Sequence, residues 1–174
     1  MYMPDRTEAE SLLRSYVNQE NLVRHMIATE AIMRALAQKL GEDEELWGIT
    51  GLLHDMDLEL VANDLSRHAL ETVRILAEKG YPETGLQAIL AHNSQTGTKC
   101  TEPFHFALSA AETITGLIVA CTLVYPSKRV GDVKPKSIRK RMKEKRFAAN
   151  VDRDCIRLIE NVGITLDDFI VISL

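Results

Sequence analysis

Gly51-Leu52-Leu53-His54-Asp55-Met56-Asp57 is an apolar run that ends in a histidine and an aspartate side by side, with a second aspartate two residues on. Leu52 and Leu53 imply a buried helix end, which draws His54 and Asp55 into the interior. An ionised carboxylate buried without a partner is strongly disfavoured, so chains pair the charge or give it a metal. Imidazole with carboxylate is a good ligand set for a divalent transition metal. Adjacent residues diverge by about 100° on a helix, so both reach one ion only from a helix end. A His-Asp pair alone is as readily a histidine salt-bridged to its neighbour, so the reading depends on the other histidines.

Working outward, helical periodicity dominates. Leu22, Met26, Ile32, Leu36 and Leu40 recur at helical spacing, and Gly41 ends that run where a C′ glycine belongs. His25 lies among these apolar residues. Thr7 to Val17 reads as a first helix, with Thr7 as N-cap and Glu10 completing a capping box. Asp43 caps a helix that runs to about His54. A further helix from about Leu65 to Lys79 places His68 near its start, with Leu70, Val73 and Leu76 buried, and Gly80-Tyr81-Pro82 breaks it. Glu83 to His92 is a short helix that again ends in a histidine, and Ser94 to Pro103 is a polar loop.

Phe104 to Tyr125 is the longest apolar helix, with Glu112 the one acid in its middle. Either Glu112 faces solvent through a gap, or it has a partner in the core. Lys136 to Ala149 reads as a basic helix, and Asp152 to Val162 and Asp167 to Leu174 as two more helical segments. Phe147, Ile156, Ile159, Phe169 and Ile172 form their apolar face.

Composition agrees with an all-α fold: 174 residues, 45% hydrophobic but only 5% aromatic, with 9 Gly and 5 Pro. That length suits one domain spanning residues 1–174. The net charge of −4 is too mild to indicate a nucleic-acid binder. It is unevenly placed, because Lys128 to Arg146 carries +8 and the remainder −12. The three cysteines (Cys100, Cys121, Cys155) lack metal-finger spacing and point to a reducing compartment. The chain opens without a charged-then-apolar leader. Its strongest apolar run, Leu117 to Tyr125, is half of the roughly 18 residues a membrane span requires. The expectation is a soluble cytoplasmic protein that does not engage a membrane.

His25, His54, His68 and His92 share one character, since each lies on or ends an apolar helical run. With Asp55 and Glu112 they form a set of metal-capable side chains facing the interior of one bundle. That pattern favours a metal site over unrelated core histidines. The order resembles the HD superfamily of metal-dependent phosphohydrolases: a histidine, then His-Asp, then two spaced histidines, then an acid on a long helix. The surrounding words resemble it too, in Asn21-Leu22-Val23-Arg24-His25, the Gly51–Asp57 stretch, and Ala110-Ala111-Glu112. The resemblance covers about residues 20–125. It implies an HD-type helical bundle with extra C-terminal helices over residues 126–174.

Carried over by residue, the resemblance implies metal ligation by His25, His54, Asp55 and Glu112. His68 and His92 resemble the subset that holds two metals with the aspartate as bridge. The family's late acid is usually Asp, and Glu112 is one methylene longer. Fe, Mn, Co, Ni or Zn suit these ligands, and Mg suits them less well. One or two such ions would activate water against a phosphoryl group. His54 and Asp55 would carry that chemistry. Arg24 and the basic residues Lys136, Arg139, Lys140 and Arg141 are the cations available for phosphate charge. Ser137 is a candidate cap for their helix, and Asp57 is either a residue that orients a ligand or an ordinary loop acid.

The implied activity is hydrolysis of a small phosphorylated molecule, a nucleotide or dinucleotide, and a homodimer is compatible with it. Dinucleoside tetraphosphates, nucleoside monophosphates and guanosine tetraphosphate stay open as substrates. Cyclic dinucleotides fit less well, because Gly80-Tyr81-Pro82 reads as a helix break. The alternative is a non-catalytic HD-like module that senses a metal or nucleotide. Di-iron oxygenase chemistry, which a few relatives carry, is a third reading.

Overall fold

The computed structural model describes residues 2–174. Among the described residues the secondary structure is entirely helical, as the composition implies. The helices are α1 (Arg6–Tyr16), α2 (Glu20–Leu40), α3 (Glu44–Leu53), α4 (Leu70–Glu78), α5 (Glu83–His92), α6 (Pro103–Val124), α7 (Pro135–Lys143), α8 (Arg153–Arg157) and α9 (Leu166–Ile172).

The site rests on the pairing of α2 with α3, the most extensive contact in the bundle. Gly41 ends α2 in the left-handed region at φ +76°, and Asp43 starts α3 by accepting from the Leu46 N–H at 3.0 Å. Gly51 lets the two helices approach. A Cβ there would lie 3.0 Å from Met33 Cγ and 3.2 Å from the Thr29 carbonyl. Glu30, buried on α2, binds Arg34 at 3.0 Å and Arg6 of α1 at 3.2 Å, which ties α1 to the pair.

Helix α6 runs through the core and packs against α2, α5, α7 and α8. Ala107, Leu108, Ala110, Ala111, Ile114 and Leu117 on it are fully buried. Proline at its first turn costs no hydrogen bond. Helix α6 has 22 residues and contains a window of mean hydropathy 1.8, so it is long and apolar enough to cross a membrane. In this fold 56% of its apolar window is covered by the bundle instead.

Several boundaries differ from the sequence expectation, each for a local reason. Asp5, not Thr7, caps α1, and Glu8 completes the capping box. The expected helix from Leu65 begins only at Leu70, because Ala69 takes φ +72° and breaks the helical path. That shift leaves Leu70 exposed and buries Thr72, Ile75 and Leu76. The basic helix ends at Lys143, and Ala148 takes φ +45° in the turns that follow. Ser137 does not cap it; Lys134 stands at the cap, and the Ser137 hydroxyl bonds Tyr125 OH.

Candidate metal centre

Asp55 follows the end of α3 and is surrounded by four imidazoles. Its Oδ1 lies 3.3 Å from His54 Nε2, 3.2 Å from His68 Nε2 and 3.3 Å from His92 Nε2. Its Oδ2 lies 3.5 Å from His25 Nε2. The rings come from separate stretches: His25 from α2, His54 from the cap of α3, His68 from the turn before α4, and His92 from the last position of α5.

The outer nitrogen of every ring is already engaged. His54 Nδ1 donates to the Gly51 carbonyl at 2.7 Å, and His92 Nδ1 donates to the Ile89 carbonyl. His68 Nδ1 donates to Asp57 Oδ1 at 2.7 Å. His25 Nδ1 donates to Thr115 Oγ1 at 2.8 Å, whose own hydroxyl donates to the Glu112 carbonyl at 2.6 Å. All four partners act as acceptors, so each Nδ1 carries a proton and each neutral ring turns an Nε2 lone pair inward.

These lone pairs have nothing neutral to meet. His68 Nε2 and His92 Nε2 are 3.0 Å apart, with Asp55 Oδ1 beside both. His54 Nε2 is buried with no hydrogen-bond partner. Convergent acceptors demand either an added proton or a cation. Two groups have ligand spacing, His25–His54–Asp55 and Asp55–His68–His92, with the ligand atoms of each within 4.8 Å of one another. They share Asp55, which would hold an ion in either group. The residues therefore fit a divalent metal by donor type, tautomer and spacing.

The protonation tendencies follow the same geometry. Burial, the largest single influence on Asp55, favours its neutral form. The close approach of the His54, His25 and His68 ring nitrogens overrides it and holds the carboxyl well below the usual range. Burial likewise opposes a charge on His68, yet hydrogen bonds to Asp55 and Asp57 push its pKa up to about 9. For His25, burial again opposes protonation, and Asp55 with the Glu112 charge raises the pKa. Without metal, a proton takes the place that a cation would hold.

Asp57 acts behind the cluster. One of its oxygens accepts from His68, the other accepts from the Thr72 N–H at 2.9 Å, and the side chain is fully buried. Asn93 fixes the turn that carries His68 by donating to the carbonyls of Leu65 at 2.8 Å and His68 at 2.9 Å.

Five of the six expected ligands thus converge, and Glu112 stands apart. It accepts from Thr113 Oγ1 at 2.5 Å and borders a cleft that opens over the cluster, the gap that its place on an apolar helix suggested. Arg24 points to solvent and pairs with Glu20 at 3.4 Å, away from this cleft. Arg139 pairs with Asp167 at 2.6 Å, and Lys140 and Arg141 pair with Glu144. The cleft holds about 450 Å³, and its lining includes His25, His92, Ser94, Glu112, Thr115, Asn150, Asp152 and Cys155. Sequence reasoning had not singled out Thr115, Asn93 or Asn150. Thr115 was within reach of it, lying one helical turn beyond Glu112 on α6. A separate cleft of about 530 Å³ is lined by the stacked Trp47 and Phe104 rings, and His105 is the one histidine that reaches it.

A family model described as HD domain matches residues 22–154, which takes in all five converging ligands and the cleft wall around Asn150. No curated protein and no solved structure gives a significant match to the chain.

Proposed function

Since the chain belongs to the HD domain family, we propose that it is a metal-dependent phosphohydrolase acting on a small phosphorylated molecule. One observation carries this reading: four imidazole lone pairs converge on a single shared carboxylate, with His54 Nε2 buried and unpartnered. His25, His54 and Asp55 would hold one ion, and Asp55, His68 and His92 a second. Bound divalent ions would supply Lewis-acid activation of water and charge stabilisation for a phosphoryl group.

The chain's own residues prepare for that chemistry. The Gly51 and Ile89 carbonyls, Asp57 and Thr115 hold every ring in the tautomer that leaves Nε2 free. Asp57 also increases the electron density that His68 offers, because a carboxylate accepts its Nδ1 proton. His25 and His92 face the cleft, so a phosphoryl group enters from the side bordered by Glu112. His54 lies at the closed back of the cluster, where water does not reach it.

A second reading, a module that binds a metal or nucleotide without turnover, is favoured by the position of Glu112 outside both ligand groups. Phosphate release from nucleotides and sugar phosphates by metal-reconstituted protein separates the two. The hydrolase reading expects turnover that is lost in His54→Ala and Asp55→Ala while helical content persists. Saturable ligand binding with no product would favour the binding module. Turnover unchanged after metal removal would overturn the mechanism.

A further inference from the structure

The cleft of about 530 Å³ around Trp47 and Phe104 lies apart from the histidine cluster. Helices α3 and α5 have their first turns at this cleft and meet the cluster at their other ends, in His54 and His92. The 10 residues of α3 separate the two places by about 15 Å. We propose that this second cleft binds a small organic cation, a protonated amine carried on an apolar body. Neither metal nor phosphoryl chemistry is needed for that binding.

Charge selects the cation. Glu42, Asp43, Glu83 and Glu102 stand round the cleft, and among the described residues Lys99 is the one lysine or arginine in its lining. Asp43, Glu83 and Glu102 have an ordinary structural use, since α3, α5 and α6 begin here and acids favour helix N-termini. Glu42 precedes its helix and has no such use. Each helix dipole supplies only about half a positive charge, so with Lys99 counted the cleft stays negative by about one and a half charges. Among the described residues none of the four acids is in an ion pair, whereas Glu45 beside them is held by Arg34 at 2.7 Å. His105 adds no positive charge. Its Nδ1 accepts from the Thr101 and Glu102 N–H groups at 3.4 Å each, and burial lowers its pKa. A cleft lined by one sign of charge concentrates ions of the other.

The floor selects the body of the ligand. Leu46, Trp47, Pro103 and Phe104 give the cleft apolar surface, and the Trp47 and Phe104 rings stack with centroids 4.7 Å apart. A bare metal ion would gain nothing from that surface, and among the described residues both groups with metal-ligand spacing lie in the histidine cluster. An amine on an apolar body uses floor and rim together. The volume falls within the roughly 300–1,000 Å³ of small-molecule pockets, which favours a compact ligand over a peptide segment. The cleft is also preformed. Asp43 fixes the start of α3 by accepting from the Leu46 N–H at 3.0 Å, and the ring stack ties α3 to α6. Little ordering therefore opposes binding.

Trp47 is the only tryptophan in the chain, so its fluorescence reads occupancy of the cleft. Phenethylamine, 2-phenylethanol and 3-phenylpropanoate share a ring and a short arm and differ in charge. Titrated into the full chain, phenethylamine should change Trp47 emission saturably, with a Kd at least about tenfold below that of the alcohol. The carboxylate should bind more weakly than either, and added salt should weaken the amine alone. Glu42 and Glu83 are exposed, so the double variant Glu42→Gln/Glu83→Gln should stay folded. It should raise the Kd for the amine by about five- to tenfold and leave that for the alcohol unchanged. Asp55→Ala should bind the amine as tightly as the parent, which separates this cleft from amine ligation of a metal at the histidines. No saturable change, equal affinity for amine and alcohol, or an amine affinity unmoved by the double variant would each overturn the inference. So would loss of the response in Asp55→Ala, or a lysine-rich peptide that binds where phenethylamine does not.

Discussion

Replacing Asp57 with asparagine keeps the shape of the side chain and removes one of its two acceptors. In the parent both oxygens accept, one from His68 Nδ1 and the other from the Thr72 N–H. An asparagine must turn its NH₂ toward one of these donors. If it faces Thr72, a buried N–H is left unpaired, a cost of about 1–3 kcal/mol. If it faces His68, the ring must move its proton from Nδ1 to Nε2, and the lone pair that faced Asp55 and His92 is lost. Either way the group formed by Asp55, His68 and His92 weakens. Loss of such a supporting partner typically lowers metal affinity by about 10–100-fold. Competition against a chelator of known affinity measures the change, and circular dichroism checks that the helices remain. The group containing His25 and His54 should keep its affinity, so one class of site weakens and the other does not. If Asp57→Asn binds metal at both classes as tightly as the parent, the argument that Asp57 sets the His68 tautomer is wrong.

Thr115→Val removes the hydroxyl that accepts from His25 and should weaken the other group by about tenfold, with Thr115→Ser restoring it; the same competition assay reads both. Gly51→Ala forces a methyl against Met33 and the Thr29 carbonyl, and should cost about 1–3 kcal/mol in denaturant unfolding of the metal-free protein. The His68 pKa is raised from the ordinary 6.5 to about 9, so protonated His68 stabilises the metal-free protein fully below pH 6.5. That contribution is lost as pH rises through about 9, so the Tm of metal-free protein should fall across this window. Metal affinity should rise over the same range, because the ion displaces that proton. A Tm that climbs from pH 6.5 to 9 would contradict the assignment.

Much of the scaffold was legible because its boundaries carry local chemical signals. Gly41 ends α2, Asp43 begins α3, and Pro82 precedes an α5 whose limits agree with the sequence reading at both ends. The histidines were legible because each closes or interrupts an apolar run. His68 was misplaced onto a helix because Ala69 gives no hint of its left-handed φ; a residue of that type ordinarily continues a helix. Arg24 was drawn to the site by adjacency to His25, yet neighbours on a helix point about 100° apart and Arg24 faces water. The roles of Asp57 and Thr115 depend on partners 11 and 90 residues away, which no local pattern announces. The cleft wall at Asn150 to Asp152 lay outside the resemblance, in a segment whose position is set by Arg153 and the packing of α8 on α6.

The most direct test of the central claim is metal content by elemental analysis of reconstituted protein, with Asp55→Ala and His54→Ala beside the parent. Two ligand groups that share one carboxylate predict about two equivalents in the parent. Asp55→Ala should lose most of both, and His54→Ala should lose one while the group of His68 and His92 keeps its ion. A parent that takes up no metal, or an Asp55→Ala protein that retains the parent's full content, would contradict it.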